Sequence, residues 1–302
     1  ADLALLLVDA RAGLTEQSRR HAAIAALLRI RHVIVAVNKM DLAGYAEEAF
    51  DDVARSVLEL GATLGLHEID FVPISALRGD NVVEPSANMP WFAGPPLLER
   101  LETVPVDPPA LHGARLPVQL VLRDGAARWA AGRLAAGELR AGDDVVVLPS
   151  GTRTRVAEVR DADGPAEVVS APLSVSVRLE DEVDLARGEL IAAAEDAPEP
   201  ACELFATVCW LGDRPARPGD RIALKHGTRT VAARSDAIEG RIDFQALTWP
   251  PADELRLNDI ARVRLRLGGE VAADPYERCH ATGAFILVDE MTNDTVAAGM
   301  VA

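Results

Sequence analysis

The apolar positions of this chain change period near residue 105. Before that point, unbroken apolar runs alternate with stretches whose apolar residues recur every three to four positions; after it, they recur at every second position. The run at 3–9, closed by Asp9, and the run at 32–37, opened by His32, are otherwise continuous and aliphatic, the second rich in β-branched residues. Such runs predict strands buried on both faces of a parallel sheet. Between them, Thr15 is placed to cap a helix running to about Ile30, with Ala23, Leu27 and Ile30 on one face. Residues 47–60 predict a second amphipathic helix, with Phe50, Val53, Val57, Leu58 and Leu60 as its apolar stripe. A short strand at 70–74 follows, then a long loop at 78–96, a short helix at 97–101 and a proline-rich linker, Val104-Pro105-Val106-Asp107-Pro108-Pro109. Strand–helix–strand–helix–strand is the order of a βαβ series on a parallel sheet.

From Leu116 onward the pattern is that of short antiparallel strands. Val118, Leu120 and Leu122 alternate with polar or small residues, and strands are expected at 145–148, 154–160 and Leu173–Leu179, separated by Gly132, Gly137, Gly142-Asp143 and Pro149-Ser150-Gly151. Strands of this length and spacing predict a small β-barrel, although any all-β module shares the pattern. A second boundary falls in the acidic, proline-bearing segment 194–201. A third β-rich segment carries strands at 204–210, 221–225, 230–233, 259–267 and Ala284–Val288. The predicted fold is multi-domain, α/β plus all-β: a partial P-loop-GTPase-type parallel sheet with helices at 1–104, then two antiparallel β-barrels at 105–197 and 198–302.

The candidate chemistry sits where two of the predicted parallel strands end. Ligands of open α/β sheets bind at the carboxyl ends of the strands. The first such end is Asn38-Lys39-Met40-Asp41 and the second is Ser75-Ala76-Leu77. A carboxylate at Asp41 can accept two parallel hydrogen bonds from the ring N–H and exocyclic amine of guanine; adenine offers no such donor pair at that edge. Asn38 supplies an amide for the opposite edge of the base and for tying neighbouring loops, and the stem of Lys39 can lie along the base's flat face. Sites that hydrogen-bond their ligand reject a mispatterned analogue by roughly 10⁴–10⁵, because buried polar groups are left unpaired. A solvated turn rich in Asn and Asp is the plain alternative.

Composition narrows the partners. With 302 residues, 49% hydrophobic content and a net charge of −16, the chain is long enough for several domains and too acidic for general nucleic-acid or anionic-membrane affinity. The three cysteines, Cys202, Cys209 and Cys279, form no C-x-x-C pair and read as free thiols of a reducing compartment. Cys279-His280 is too small a set for a metal. No apolar run approaches about 18 residues and no signal peptide is present, so a cytoplasmic location is expected. In the loop at 78–96, Trp91 and Phe92 are expected to anchor the loop on its domain rather than to stack on a ligand.

Asn38-Lys39-Met40-Asp41 followed by Ser75-Ala76-Leu77 resembles the two guanine-reading motifs of GTPases. The resemblance implies that the Ala76 N–H caps the base carbonyl, that Ser75 braces the loop and that Leu77 belongs to the same base-binding set. Gln17-Ser18-Arg19-Arg20-His21 looks like the translational branch of that superfamily, and the pattern from Gly132 to Gly142-Asp143 is close to its second domain. More specific are Met89-Pro90-Trp91, Leu179-Glu180-Asp181-Glu182-Val183-Asp184 with Arg187-Gly188, Leu224-Lys225-His226-Gly227-Thr228, Asn258-Asp259-Ile260, and the closing runs 281–289 and 292–301. These closely resemble the GTPase subunits of sulfate adenylyltransferases along the whole chain; Cys279-His280 departs from the Asn-Arg expected before the closing run.

That resemblance implies an elongation-factor-like architecture and a GTP-binding regulatory subunit, paired with a smaller catalytic subunit. GTP hydrolysis would be coupled to formation of adenylyl sulfate from ATP and sulfate. GTP and Mg²⁺ are the implied cofactors. The 302 residues contain no Gly-x-x-x-x-Gly-Lys-[Ser/Thr] and no Asp-x-Pro-Gly ahead of the first strand, and phosphate cradling needs that backbone, lysine and hydroxyl. The expectation is a chain that starts partway through a GTPase domain, in keeping with a first residue other than Met. Its catalytic residues and Mg²⁺ ligands would then lie upstream, and it would be incompetent for hydrolysis alone. Two other readings share the motifs: a translation factor carrying aminoacyl-tRNA, and a non-catalytic docking module.

Overall fold

The computed structural model describes residues 2–105, 113–125 and 127–302, so 106–109 of the predicted linker lie outside the described residues. The chain forms two compact units, residues 1–108 with 244–247, and the remainder.

In the first unit three parallel strands, β1 (Leu3–Asp9), β2 (His32–Asn38) and β3 (Glu68–Pro73), lie in the order β1-β2-β3. Asp9 is level with Asn38, and Val37 with Pro73. The central strand is the β-branched one, and Val33, Ile34, Val35, Ala36 and Val37 are all buried. Burying such a side chain contributes about 1.5–3 kcal/mol, which is why this strand takes the middle of the sheet.

Helix α1 (Glu16–Leu27) starts where Thr15 Oγ1 accepts from the Ser18 N–H at 3.2 Å. It ends short of Ile30 because Arg29 turns left-handed (φ 54°) and the Ile30 N–H reaches back to the Ala25 carbonyl. Helix α2 (Glu47–Leu64) runs beyond residue 60, to the left-handed Gly65. Gly61 permits this: a Cβ there would stand 2.5 Å from Ile69 Cδ1 of β3. Helix α3 (Leu97–Thr103) closes the unit. Trp91 and Phe92 pack with Phe50, whose ring lies 5.5 Å from Trp91 and 6.4 Å from Phe71.

The second unit holds two β-structures with separate cores. The first contains β4 (Arg115–Pro117), β5 (Leu120–Asp124), β6 (Ala127–Leu134), β7 (Glu138–Arg140), β8 (Asp144–Leu148), β9 (Thr152–Arg160), β10 (Pro165–Ala166), β11 (Val168–Ser170), β12 (Leu173–Leu179) and β13 (Leu190–Ala193). Its main sheet runs β4-β13-β8-β9-β12-β6-β5 and curls until β4 meets β6. The seam is made by Arg115 N–H to Ala136 O (3.0 Å), Ala135 N–H to Arg115 O (2.7 Å) and Gln119 N–H to Ala131 O (2.9 Å). At the seam only glycine fits at 132, since a Cβ would lie 2.2 Å from the Pro117 carbonyl oxygen. Alternate residues of the strands, among them Leu116, Ala130, Val147, Val159, Val177 and Ile191, fill the interior.

The second β-structure is a closed barrel in the order β14-β17-β16-β15-β18-β19, made of β14 (Pro200–Trp210), β15 (Arg221–His226), β16 (Arg229–Arg241), β17 (Ile260–Ala272), β18 (Ala284–Val288) and β19 (Thr295–Val301). A helical turn, α4 (His280–Gly283), precedes β18.

The two β-structures are joined by a buried ion pair. Arg115 and Asp274 are both fully buried, and the guanidinium grips the carboxylate at 2.9 and 3.0 Å. Thr282 Oγ1 donates to the same carboxylate at 2.6 Å. His226 Nε2 lies 2.6 Å from the Thr282 carbonyl, so this nitrogen carries the ring proton. Of the guanidinium nitrogens, Nη1 donates to the Ala114 carbonyl, and Nη2, besides bonding Asp274, donates to the Asp196 carbonyl. Among the described residues no helix is long and apolar enough to cross a membrane.

Candidate functional site

The carboxyl ends of β2 and β3 lie side by side, and the residues that follow them are fastened together. Met40 N–H donates to the Ile74 carbonyl (3.2 Å) and Ile74 N–H to Val37 (2.8 Å). Lys39 is left-handed (φ 64°), which reverses the chain into a single 3₁₀ turn at Met40–Ala43. Met40 is buried beneath that turn, while Asn38 and Asp41 remain half-buried and Lys39 exposed at its rim.

Two side-chain bonds join the loops. Ser75 Oγ, itself buried, donates to Asp41 Oδ1 at 2.8 Å. Asn38 Oδ1 accepts the Lys39 N–H at 2.7 Å and the Ala76 N–H at 3.0 Å. Two backbone donors on one oxygen fix the amide's orientation, so Asn38 Nδ2 faces the other way with both of its N–H groups to offer. Among the described residues Ser75 is the one hydrogen-bond donor to the Asp41 carboxylate, which leaves Oδ2 open as an acceptor. Leu77 stands out from the turn, 84% exposed. The arrangement can present an acceptor pair from Asp41, an amide donor from Asn38 and apolar surface from Lys39 and Leu77. All six predicted residues are brought to this one edge of the sheet.

A seventh group was not expected. Asp9, at the end of β1, takes the Lys39 ammonium at 2.8 Å and the Arg11 N–H at 2.9 Å. The Lys39 hydrogen bond, then that of Arg11, holds the Asp9 carboxyl well below the usual carboxylate range. This anchors the head of Lys39 and so fixes the course of its stem. The sequence signal for Asp9 is a carboxylate closing a buried parallel strand level with the Asn38 strand.

A carboxylate depressed in the folded state stabilises the fold above its unfolded value of about 3.9, and that contribution fades as pH falls below it. Because Lys39 is half-exposed, the pair contributes about 1 kcal/mol or less. An Asp9→Asn chain is therefore expected to melt slightly below wild type at pH 7. The difference should narrow steadily as pH falls below about 4 and close only below the depressed folded value; a gap that does not narrow on acidification in thermal scans would contradict the assignment.

Residues 1–111 match the family model described as the elongation factor Tu GTP binding domain, and residues 203–302 match the GTP-eEF1A C-terminal domain-like model. A sulfate adenylyltransferase subunit 1 from Laribacter hongkongensis is 43% identical over 100% of this chain and 63% of its own length. The chain is a homologue of sulfate adenylyltransferase subunit 1, in the translational GTPase superfamily.

Other homologues of this subunit 1 type are the bifunctional CysN/CysC enzymes of Xylella fastidiosa, 46% identical over 99% of this chain, and of Mycobacterium tuberculosis, 45% identical over 100%. The chain spans about half the length of these bifunctional relatives, 48% and 50%. In fold, the subunit 1 homologue resembles Sup35, solved as a complex with GMPPNP, with a TM-score of 0.60 and 22% identity over 100% of this chain and 78% of that one.

Proposed function

We propose that residues 1–302 form the base-reading and β-barrel part of a GTP-binding regulatory subunit of sulfate adenylyltransferase. The observation that carries this reading is the tie between the two strand ends, Ser75–Asp41 at 2.8 Å and Ala76–Asn38 at 3.0 Å, in a homologue of subunit 1. In this reading Asp41 accepts the ring N–H and exocyclic amine of guanine. Asn38 Nδ2 donates to the opposite edge, and Lys39 and Leu77 cover the two faces of the base. The Ala76 N–H, now given to Asn38, is the donor the base carbonyl would share, and Ser75 holds Asp41 in place.

GTP, when bound, supplies the hydrolysis that the subunit couples to adenylyl sulfate formation from ATP and sulfate, with a smaller catalytic subunit as partner. Among the described residues no group of three His, Cys, Asp or Glu is placed to hold a metal. These 302 residues contain no Gly-x-x-x-x-Gly-Lys-[Ser/Thr], the backbone, lysine and hydroxyl that would hold the phosphates and Mg²⁺.

Two outcomes follow. A radiolabelled GTPase assay on residues 1–302 is expected to show no turnover above buffer, because the phosphate-holding Gly-x-x-x-x-Gly-Lys-[Ser/Thr] does not occur in these residues; ordinary turnover would refute that. Disrupting the gene that encodes these residues is expected to abolish growth on sulfate as sole sulfur source, with cysteine restoring it. Undiminished growth on sulfate would count against the adenylyltransferase assignment.

A further inference from the structure

The two loops are fastened a second time, through residues outside the base-reading motifs. After Asp41 the chain reaches Tyr45, whose backbone is left-handed (φ 57°), a conformation disfavoured for a bulky side chain. Three hydrogen bonds hold it there. Its N–H donates to the Met40 carbonyl at 2.8 Å, its carbonyl accepts from Trp91 Nε1 at 3.0 Å, and its hydroxyl donates to Asp80 Oδ2 at 2.9 Å.

Asp80 closes the turn that Ser75 opens: Ser75 N–H donates to the Asp80 carbonyl at 3.2 Å, and Gly79 N–H to the Ser75 carbonyl at 2.8 Å. The other Asp80 carboxylate oxygen accepts from Ser86 Oγ at 2.6 Å and Asn88 Nδ2 at 3.0 Å. The next residue, Asn81, is also left-handed (φ 52°) and is pinned by its amide to the Pro73 carbonyl at 3.0 Å. The Ser86 hydrogen bond leads those that keep the Asp80 carboxyl below its ordinary range, and burial leads in raising the Tyr45 hydroxyl. At neutral pH a neutral phenol therefore donates to a charged carboxylate, a charge-assisted bond.

The other two ties are made of the atoms that a base would engage. Ser75 bonds the Asp41 carboxylate, and Asn38 bonds the Ala76 N–H; both are open to rearrangement when a ligand arrives. The Tyr45–Asp80 bond uses none of those atoms. We infer that Tyr45 and Asp80 are a positioning pair for guanine recognition, fixing the spacing between the Asp41 carboxylate and the Ala76 N–H. This rests on the base-reading role proposed above. Strain at Tyr45 fits the same role, since a backbone outlier persists only where the surrounding bonds over-determine it.

The test is a double-mutant cycle on residues 1–302 with Tyr45→Phe, Asp80→Asn and both together, titrated with guanosine and adenosine by NMR and melted in parallel. Tyr45→Phe is expected to weaken guanosine about tenfold and leave adenosine unchanged, so the preference shrinks by the same factor. The double variant should lose little more than Tyr45→Phe alone, as a coupled pair does. Asp80→Asn keeps an acceptor for the phenol and should fall between wild type and Tyr45→Phe. A lower melting temperature with the full guanosine preference retained overturns the positioning role while leaving base reading intact. A wild-type chain that does not prefer guanosine overturns both.

Discussion

Replacing Asp41 by asparagine is expected to exchange guanine preference for xanthine preference. The wild-type carboxylate offers only acceptors, matching the two N–H donors on the Watson–Crick edge of guanine. Asparagine offers one acceptor and one donor. Xanthine carries a ring N–H beside a carbonyl at that edge, which is the complement of the amide. The Ser75 hydroxyl, 2.8 Å from Asp41 Oδ1, can still donate to the amide oxygen, so the loop keeps its brace. Losing a charged hydrogen bond costs about 1.5–3 kcal/mol, and the amide's N–H would then face the guanine amine as well. Guanosine affinity should fall roughly 100-fold at the upper end of that cost, while xanthosine gains. Equal guanosine affinity in the two chains would show that this carboxylate does not read the base.

The largest effect on stability is expected at Asp274. Asp274→Ala leaves the Arg115 guanidinium buried with no carboxylate in bidentate contact, and also removes the acceptor of Thr282 Oγ1. Breaking a buried ion pair from one side costs about 3–5 kcal/mol, against a typical total of about 5–15 kcal/mol for a folded domain. The second unit should therefore unfold at much lower urea concentration, followed by the fluorescence of Trp129, Trp210 and Trp249. Replacing both partners, Arg115→Met with Asp274→Leu, is expected to recover most of the loss, because the desolvated charge goes with its partner. A single variant as stable as wild type would mean the pair is better solvated than its burial implies.

The parallel-sheet half was legible because its signals are local. A fully apolar run makes the central strand, and the motif residues follow directly at its end. The limits of α1 and α2 were less so: Arg29 is an arginine in a left-handed conformation, and Gly61 lies inside a helix to make room for Ile69.

In the second barrel the pattern 230–233 became the much longer β16, Arg229–Arg241. Its exposed face is polar, and bulges between Ser235 and Ala237 and between Ile238 and Gly240 break the alternation. The partners Arg115 and Asp274 are 159 residues apart, and no periodicity links them. The same holds within the candidate site. Asn38, Lys39, Asp41, Ser75, Ala76 and Leu77 stand in motifs, whereas Asp9, Tyr45 and Asp80 acquire their places only when distant loops are folded together.

The most direct measurement of base reading is an amide-resolved NMR titration of residues 1–302 with guanosine and, separately, adenosine. The account predicts saturable shifts at Ala76 and Leu77 and at the Asn38–Asp41 turn with guanosine, and none with adenosine at the same concentrations. Equal shifts with both nucleosides, or shifts confined to other parts of the chain, would contradict it.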